Sequence, residues 1–497
     1  MKKIINILAI ILLLSNFGCT SSFDDINKDP DAYSEVPFTN ILGNVIRRST
    51  NQYYDDLDIA QFAGYVCKIR YIDEYNNLIP TNNKYGNRWF ESYWGHVQLQ
   101  DILDKTEDQP EGNKNMRNVC LFMQNYLMFL VLDSFGDIPY SEAFKGAPEN
   151  GGKLSSKYDK ESIIYPQILA NLEYVANSWA EGYGEDELGK GDFLFEGDIN
   201  KWHKLCNSLR LRIALRISKV YPESKNIIET IFANSDRYPI ITNCDDNAYF
   251  WWQGTGVYYE RYYNDFTNRD DHGMSKIFID HLITNEDPRL SVIAKPAESD
   301  NTFRGSENCP LVAPIFANIS RIGVLYREDP AGFSPIFRAC ENYFIMAEAA
   351  LNGWNVPLSA KDAYEKAVTL SMTDNGIGES NADDYLSKKG KWDGTYERLY
   401  NEYWVALFKQ NLEGWSLYRR TGYPKAIFTA VAADNKTPQY PGVNTPYSGI
   451  HNDVPFRMPY PNNQFSYNRE AVEEASIGIV DYVWGKQLWW DTRENVY

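Results

Sequence analysis

The sequence predicts an all-α protein built from packed helix pairs, with long loops and few short strands. Three observations lead there. Apolar residues recur at three- and four-residue spacing through most of the 497 residues, β-type alternation is rare and short, and one alanine-rich stretch has the spacing of two closely crossing helices. After Pro30 no Pro/Gly/Ser-rich or single-charge tract interrupts the chain, so residues 37–497 read as one unit.

The chain begins with Met1-Lys2-Lys3, an apolar run from Ile4 to Leu14, and Ser15-Asn16-Phe17-Gly18-Cys19. Two lysines, a short apolar core and a small residue before a cysteine form a secretory signal over residues 1–18, too short to span a bilayer. Cys19 is the expected lipidation site, and residues 19–36, polar and acidic, the tether. Asn16 stands where lipoprotein signals usually carry Leu, which leaves plain secretion as the alternative. No later apolar run approaches about 18 residues, so nothing after Cys19 is expected to cross a membrane.

The first helices are set by Trp89, Tyr93, Val97, Gln100 and Leu103, and by Val119, Phe122, Met123, Tyr126, Leu127, Leu130 and Val131, which together read as a hairpin. Further helices are expected over 161–180, 202–219, 274–282, 342–351, 359–372 and 396–412. In the pair around Ala347, Ala349, Ala363 and Ala367, small residues let two helices close on each other. A tetratricopeptide unit and an ordinary alanine-rich hairpin fit that pattern equally well. The helix-poor stretches 182–196, 243–273, 293–335 and 432–461 are too aromatic for disorder and are expected to carry the binding surface.

A net charge of -18 argues against nucleic acid as a partner, because phosphate binding needs clustered Lys and Arg. Apart from Cys19, the cysteines are widely spaced and expected to be buried thiols, and the five histidines form no zinc motif. Asn268 to Gly273 offers clustered oxygens without EF-hand spacing, so no metal is assigned, nor any cofactor. The 36 Tyr, 13 Trp and 24 Phe suit a neutral, hydroxyl-rich ligand, although most must pack helices.

The best ligand candidates are aromatics outside helical periods. In the stretch from Tyr249 to Tyr263, glycines are flanked by rings, which places Trp251, Trp252, Tyr258, Tyr259 and Tyr262 on a deformable loop with Gln253 and Arg261 as edge donors. Up to half of those rings are expected to anchor the loop. Tyr71, Tyr75 and Asn76 form a second candidate.

The segment Asp133-Ser134-Phe135-Gly136-Asp137-Ile138-Pro139-Tyr140 ends a long helix with a shaped exit. It resembles the signature of the SusD/RagB family of nutrient-binding lipoproteins. Blocks in family order agree: Asn27 to Pro30, Lys157-Tyr158-Asp159, Lys201-Trp202, Asn207 to Arg216, Asp287-Pro288-Arg289, Arg419 to Pro424, Pro455 to Pro461 and Trp489-Trp490-Asp491. The resemblance implies a SusD-like fold of tetratricopeptide-like helix pairs. It also implies capture of a glycan, sometimes a peptide, for a SusC-like TonB-dependent transporter in the outer membrane. Phe23-Asp24-Asp25 looks like the family's surface-export signal, which would leave the lipid-anchored protein facing the cell exterior. Arg210, Arg212 and Arg216 are expected to pair with carboxylates. No catalytic residue is assigned. A secreted glycoside hydrolase, since acidic aromatic clefts also cleave sugars, and a helical-repeat adaptor without a small ligand are the alternatives.

Overall fold

A computed structural model describes residues 36–53, 56–70, 85–146, 151–186, 188–308, 313–425, 454–479, 485–494 and 496. Helices α1 (Phe38–Tyr53) and α2 (Leu57–Phe62) precede the expected hairpin, α3 (Gly86–Lys105) and α4 (Lys114–Phe135). Helices α5 (Glu161–Ala180), α6 (Ile199–Arg216) and α7 (Ser224–Ala233) follow, each packed on the one before. Helix α4 is the spine: only Lys114, Arg117 and Leu121 are not buried. By length and composition the stretch Glu111–Phe135 would suit a bilayer, but here it is enclosed by protein.

The middle of the chain carries the loops and most of the short strands. There, α8 (Arg261–Asn268), α9 (Lys276–Thr284), α10 (Leu290–Ile293) and α11 (Val324–Arg327) alternate with two-stranded antiparallel ladders. The pairs are β1 (Val66–Lys68) with β5 (His272–Met274), β2 (Ile138–Pro139) with β3 (Tyr158–Asp159), β4 (Ala248–Trp251) with β8 (Phe333–Phe337), and β6 (Ala294–Lys295) with β7 (Arg321–Ile322). The alanine-rich pair is α12 (Ala339–Leu351) against α13 (Ala360–Asp374), with Ala347, Ala349, Ala363 and Ala367 fully buried at the close approach expected of them. Then come α14 (Glu379–Ser387), α15 (Tyr396–Ala406), α16 (Asn411–Thr421), α17 (Asn462–Tyr467) and α18 (Arg469–Ala475).

The single helix expected over 396–412 is two. The chain breaks after Ala406, and Lys409 takes φ +71° so that its ammonium, fully buried, reaches Glu260 at 3.0 Å and the Tyr326 carbonyl at 2.9 Å. A buried ion pair with a loop outweighs local helix propensity there. The short helices α2, α7, α8 and α14 also escaped the periodicity reading, since they carry too few turns to show a period, and so did the 16-residue α1.

The arginines of α6 bury as pairs. Arg212 reaches Glu341 at 2.8 Å, Arg216 reaches Asp133 at 2.5 Å and also Glu413, and Arg210 reaches the half-exposed Glu173 at 3.2 Å. The Asp133 to Tyr140 signature closes the other side. Gly136 takes φ +82°, and a Cβ there would meet the Arg457 guanidinium at 2.8 Å. Asp137 receives the amide of Glu161 at 3.1 Å, which fixes the start of α5. Cys67, Cys120, Cys206, Cys244 and Cys340 are free thiols, half-buried at Cys244 and buried elsewhere.

Burial pushes His96 and His203 down to about 4. Between that value and an ordinary histidine's 6.5 the unfolded chain binds more protons, so this part of the stability is present above pH 6.5 and is lost as pH falls toward 4. A His203→Gln variant is therefore expected to lose less stability than the unsubstituted protein between pH 6.5 and 4.5, as read by urea titration. Parallel curves would rule this out.

Candidate functional site

Strand alternation builds the site. β4 pairs with β8 in the register Trp251 to Phe333, so successive side chains face opposite ways. Phe250 and the following Trp252 turn inward, 3% and 5% exposed, while Trp251 turns outward at 57%. Its ring lies 5.4 Å from Phe333 and edge-on at 6.1 Å to Tyr249, and Tyr249 itself stacks on Phe333 at 4.7 Å. The Tyr249 hydroxyl donates to Asp374 at 2.5 Å and accepts from Arg338 at 3.2 Å. An exposed indole thus sits on a fixed aromatic base.

Trp251 borders a cleft of about 870 Å³, with Tyr249 beside it, Phe193 on the loop after residue 189, and Glu196, Lys201 and Asp245 among its polar lining. Asp192 shapes that loop by accepting from the amides of Leu194, Phe195 and Gly197 and from the Trp202 indole at 2.7 Å. Gly191 lets the loop lie on α1, since a Cβ there would meet the Thr39 carbonyl oxygen at 2.1 Å. Phe193 is left 40% exposed. Two outward rings with ammonium, carboxylate and carboxamide groups between them present an apolar face and hydrogen-bonding edges to one ligand.

The remaining sequence candidates divide. Trp252 and Tyr262 belong to the core, which corrects the expectation that both lie on the loop surface. The Trp252 indole donates to the Ser334 hydroxyl at 2.7 Å, and Tyr262, 1% exposed, donates to Asn411 at 3.2 Å. The loop between them lies across residues 329–332, through Trp252 N to Gly332 O and Glu260 N to Pro330 O, both 3.0 Å. Gln253 is exposed, and Tyr258 and Tyr259 are each 37% exposed, with Arg47 over the Tyr258 ring at 5.2 Å.

Arg261 opens α8, whose first turn is capped by the Glu260 carboxylate on the Tyr263 amide at 2.7 Å. It faces a second cleft of about 660 Å³ with Asn51, Asp58, Lys68, Asn264 and His272. Apart from Leu57, the side chains lining that cleft are polar or charged. Cys19, Tyr71, Tyr75 and Asn76 lie outside the described residues. Within the Asn268 to Gly273 turn, Asp270 is paired with Arg321 and with Arg327, the latter at 2.6 Å.

Phe193, Tyr249 and Asp245 fall within stretches expected to carry the binding surface but were not singled out as ligand residues, and Lys201 was not assigned to a site. For Tyr249, Ala248 to Trp252 alternates as a strand within an aromatic run, but which set of side chains faces outward is fixed only by pairing with β8.

The helical array and its loop ladders carry an aromatic cleft of the size of a ligand site. A family model described as "Starch-binding associating with outer membrane", SusD-like_2, matches residues 30–445, and the chain belongs to that family. Among solved structures, a chitin-binding protein is 25% identical with a TM-score of 0.72, over 92% of this chain and 98% of that one. A SusD-like protein from Bacteroides thetaiotaomicron is 22% identical with a TM-score of 0.75, over 93% and 100%. A chitin-binding SusD homolog from Flavobacterium johnsoniae is 22% identical with a TM-score of 0.73, over 93% and 98%. No protein of curated function matches the chain.

Proposed function

We propose that this protein is a cell-surface lipoprotein, anchored through Cys19, that captures a glycan in the Trp251 cleft. It hands that glycan to a SusC-like TonB-dependent transporter of the outer membrane. The observation that carries the reading is the exposed Trp251 ring, braced by Tyr249 and Phe333 and lining one cleft with Phe193. A sugar ring offers the flat apolar face and hydroxyl edge such a cleft matches. The family description names starch, and the 25%-identical neighbour is named for chitin, so glucans and chitin fragments are the first ligands to try. Peptide remains the second ligand class, since the cleft's carboxylate, ammonium and amide groups would equally serve a backbone.

Calorimetry with maltoheptaose and chitohexaose is expected to give binding to one of them. No heat with either, and binding to a peptide library instead, would overturn the glycan reading. A Cys19→Ala variant is expected to move the protein from the membrane to the soluble fraction, because lipidation at that residue is the only anchor the reading provides. Retention in the membrane after the partner transporter is deleted would refute it.

A further inference from the structure

A pocket unrelated to the Trp251 cleft opens between α3, α4 and α5. Its volume is about 320 Å³, at the small end of the roughly 300–1,000 Å³ of small-molecule sites, which suits one ring and not a chain. Leu121, Met128 and Val175 give it an apolar floor, Phe144 and Tyr174 are aromatic walls, and Gln124, Asn125, Asn171 and Tyr140 supply polar groups.

Phe144 is held in an unusual state. It takes φ +65°, a left-handed conformation that strains a bulky residue. Its ring stacks on His96 at 3.9 Å with 8° between planes, and Tyr93 braces it at 5.7 Å. Strain of that kind persists where the surroundings enforce it, and here it stands a ring upright at the edge of a cavity.

The chemistry of the lining selects the ligand. None of the lining side chains carries a charge at neutral pH: burial keeps the His96 imidazole neutral and pushes the Tyr140 hydroxyl up to about 12. A charged ligand would therefore enter without a counter-ion. A purely apolar one would strip water from the carboxamides without replacing it. Asn171 donates to Asn125 at 2.9 Å and to the Tyr140 hydroxyl at 3.3 Å, which leaves the hydroxyl's own proton to donate and Asn125 a second amide proton beyond the one given to Leu121 O.

We propose that this pocket is a second binding site, for a single neutral sugar unit packed against Phe144 and Tyr174 and hydrogen-bonded by Asn125 and Tyr140. It is independent of the Trp251 cleft, with which it shares no residue.

Saturation-transfer NMR on the full mature chain tests this with methyl β-N-acetylglucosaminide and methyl α-glucopyranoside as probes. Three variants separate the sites. Trp251→Ala silences the first cleft. Phe144→Gly removes one aromatic wall and substitutes a residue at ease at φ +65°. Tyr174→Ala removes a ring already 66% exposed, so folding is preserved. At least one glycoside is expected to keep its transfer signal in Trp251→Ala and to lose it at least fivefold in both Phe144→Gly and Tyr174→Ala. A signal absent from the unsubstituted protein, abolished by Trp251→Ala, or unchanged in the two pocket variants overturns the proposal. None of these outcomes bears on oligosaccharide binding measured at Trp251.

Discussion

Replacing Asp133 by Ala is expected to lower the unfolding free energy by about 3–5 kcal/mol, the cost of stripping one partner from a buried ionic cluster. Asp133 is fully buried, yet it accepts from the Tyr165 hydroxyl at 2.9 Å, the Arg216 guanidinium at 2.5 Å and the Ser416 hydroxyl at 2.8 Å. Arg216 would retain Glu413. Arg419, also fully buried, would not fare so well: among the described residues Asp133, at 3.8 Å, is the only carboxylate that pairs with it, and burial has already lowered that guanidinium to about 10. Against a typical total of about 5–15 kcal/mol the loss is severe. Asp133→Asn keeps acceptor geometry without charge and is expected to fall between. Urea denaturation extrapolated to water measures both, and an Asp133→Ala variant as stable as the original would show that the cluster is neutral to folding.

Trp251→Ala is expected to weaken glycan binding at least tenfold while leaving the melting temperature nearly unchanged. Burying an aromatic face against a ligand is worth about 1.5–3 kcal/mol, and about 1.4 kcal/mol is a factor of ten. The adjacent Trp252→Ala is expected to do the reverse in its first effect, costing about 3–5 kcal/mol of stability because it empties a packed site and strands the Ser334 hydroxyl. Calorimetry and melting curves on both variants give four numbers. If Trp251→Ala melts early and binds normally, the exposed ring is structural and the cleft is not the site.

These neighbours show what could be read from the sequence and what could not. The long helices were legible because an apolar stripe repeated over three or more turns has one explanation, and the boundaries of α5 at Glu161 and Ala180 match the expectation. The pairing of the α6 arginines was legible too, since a guanidinium beside buried leucines needs a carboxylate. Which tryptophan faces outward was not. That depends on the register of β4 against β8, a partner 82 residues away from Trp252 at Ser334, and no local pattern reports it. Phe193 was equally hidden, because its exposure follows from the Asp192 turn and from Gly191 lying on α1, a contact between distant parts of the chain.

The Asp133 cluster also bears on the order in which the chain can fold. A secreted protein emerges from its N-terminus, and a helical array whose repeats touch only their neighbours would begin to set as each pair appeared. Here the Asp133 cluster is completed only by distant residues, as Ser416, 283 positions later, donates to Asp133 and the Phe456 carbonyl accepts from Arg419 at 3.0 Å. Arg216 finds Asp133 within the leading half, but Arg212 has its carboxylates, Glu341 and Glu413, only in the trailing half, so the interior of the array stays incomplete until those segments arrive. Closure between remote segments is slow to find but hard to reach early. The same ties that make the finished fold cooperative thus delay its completion until the last part of the chain is present.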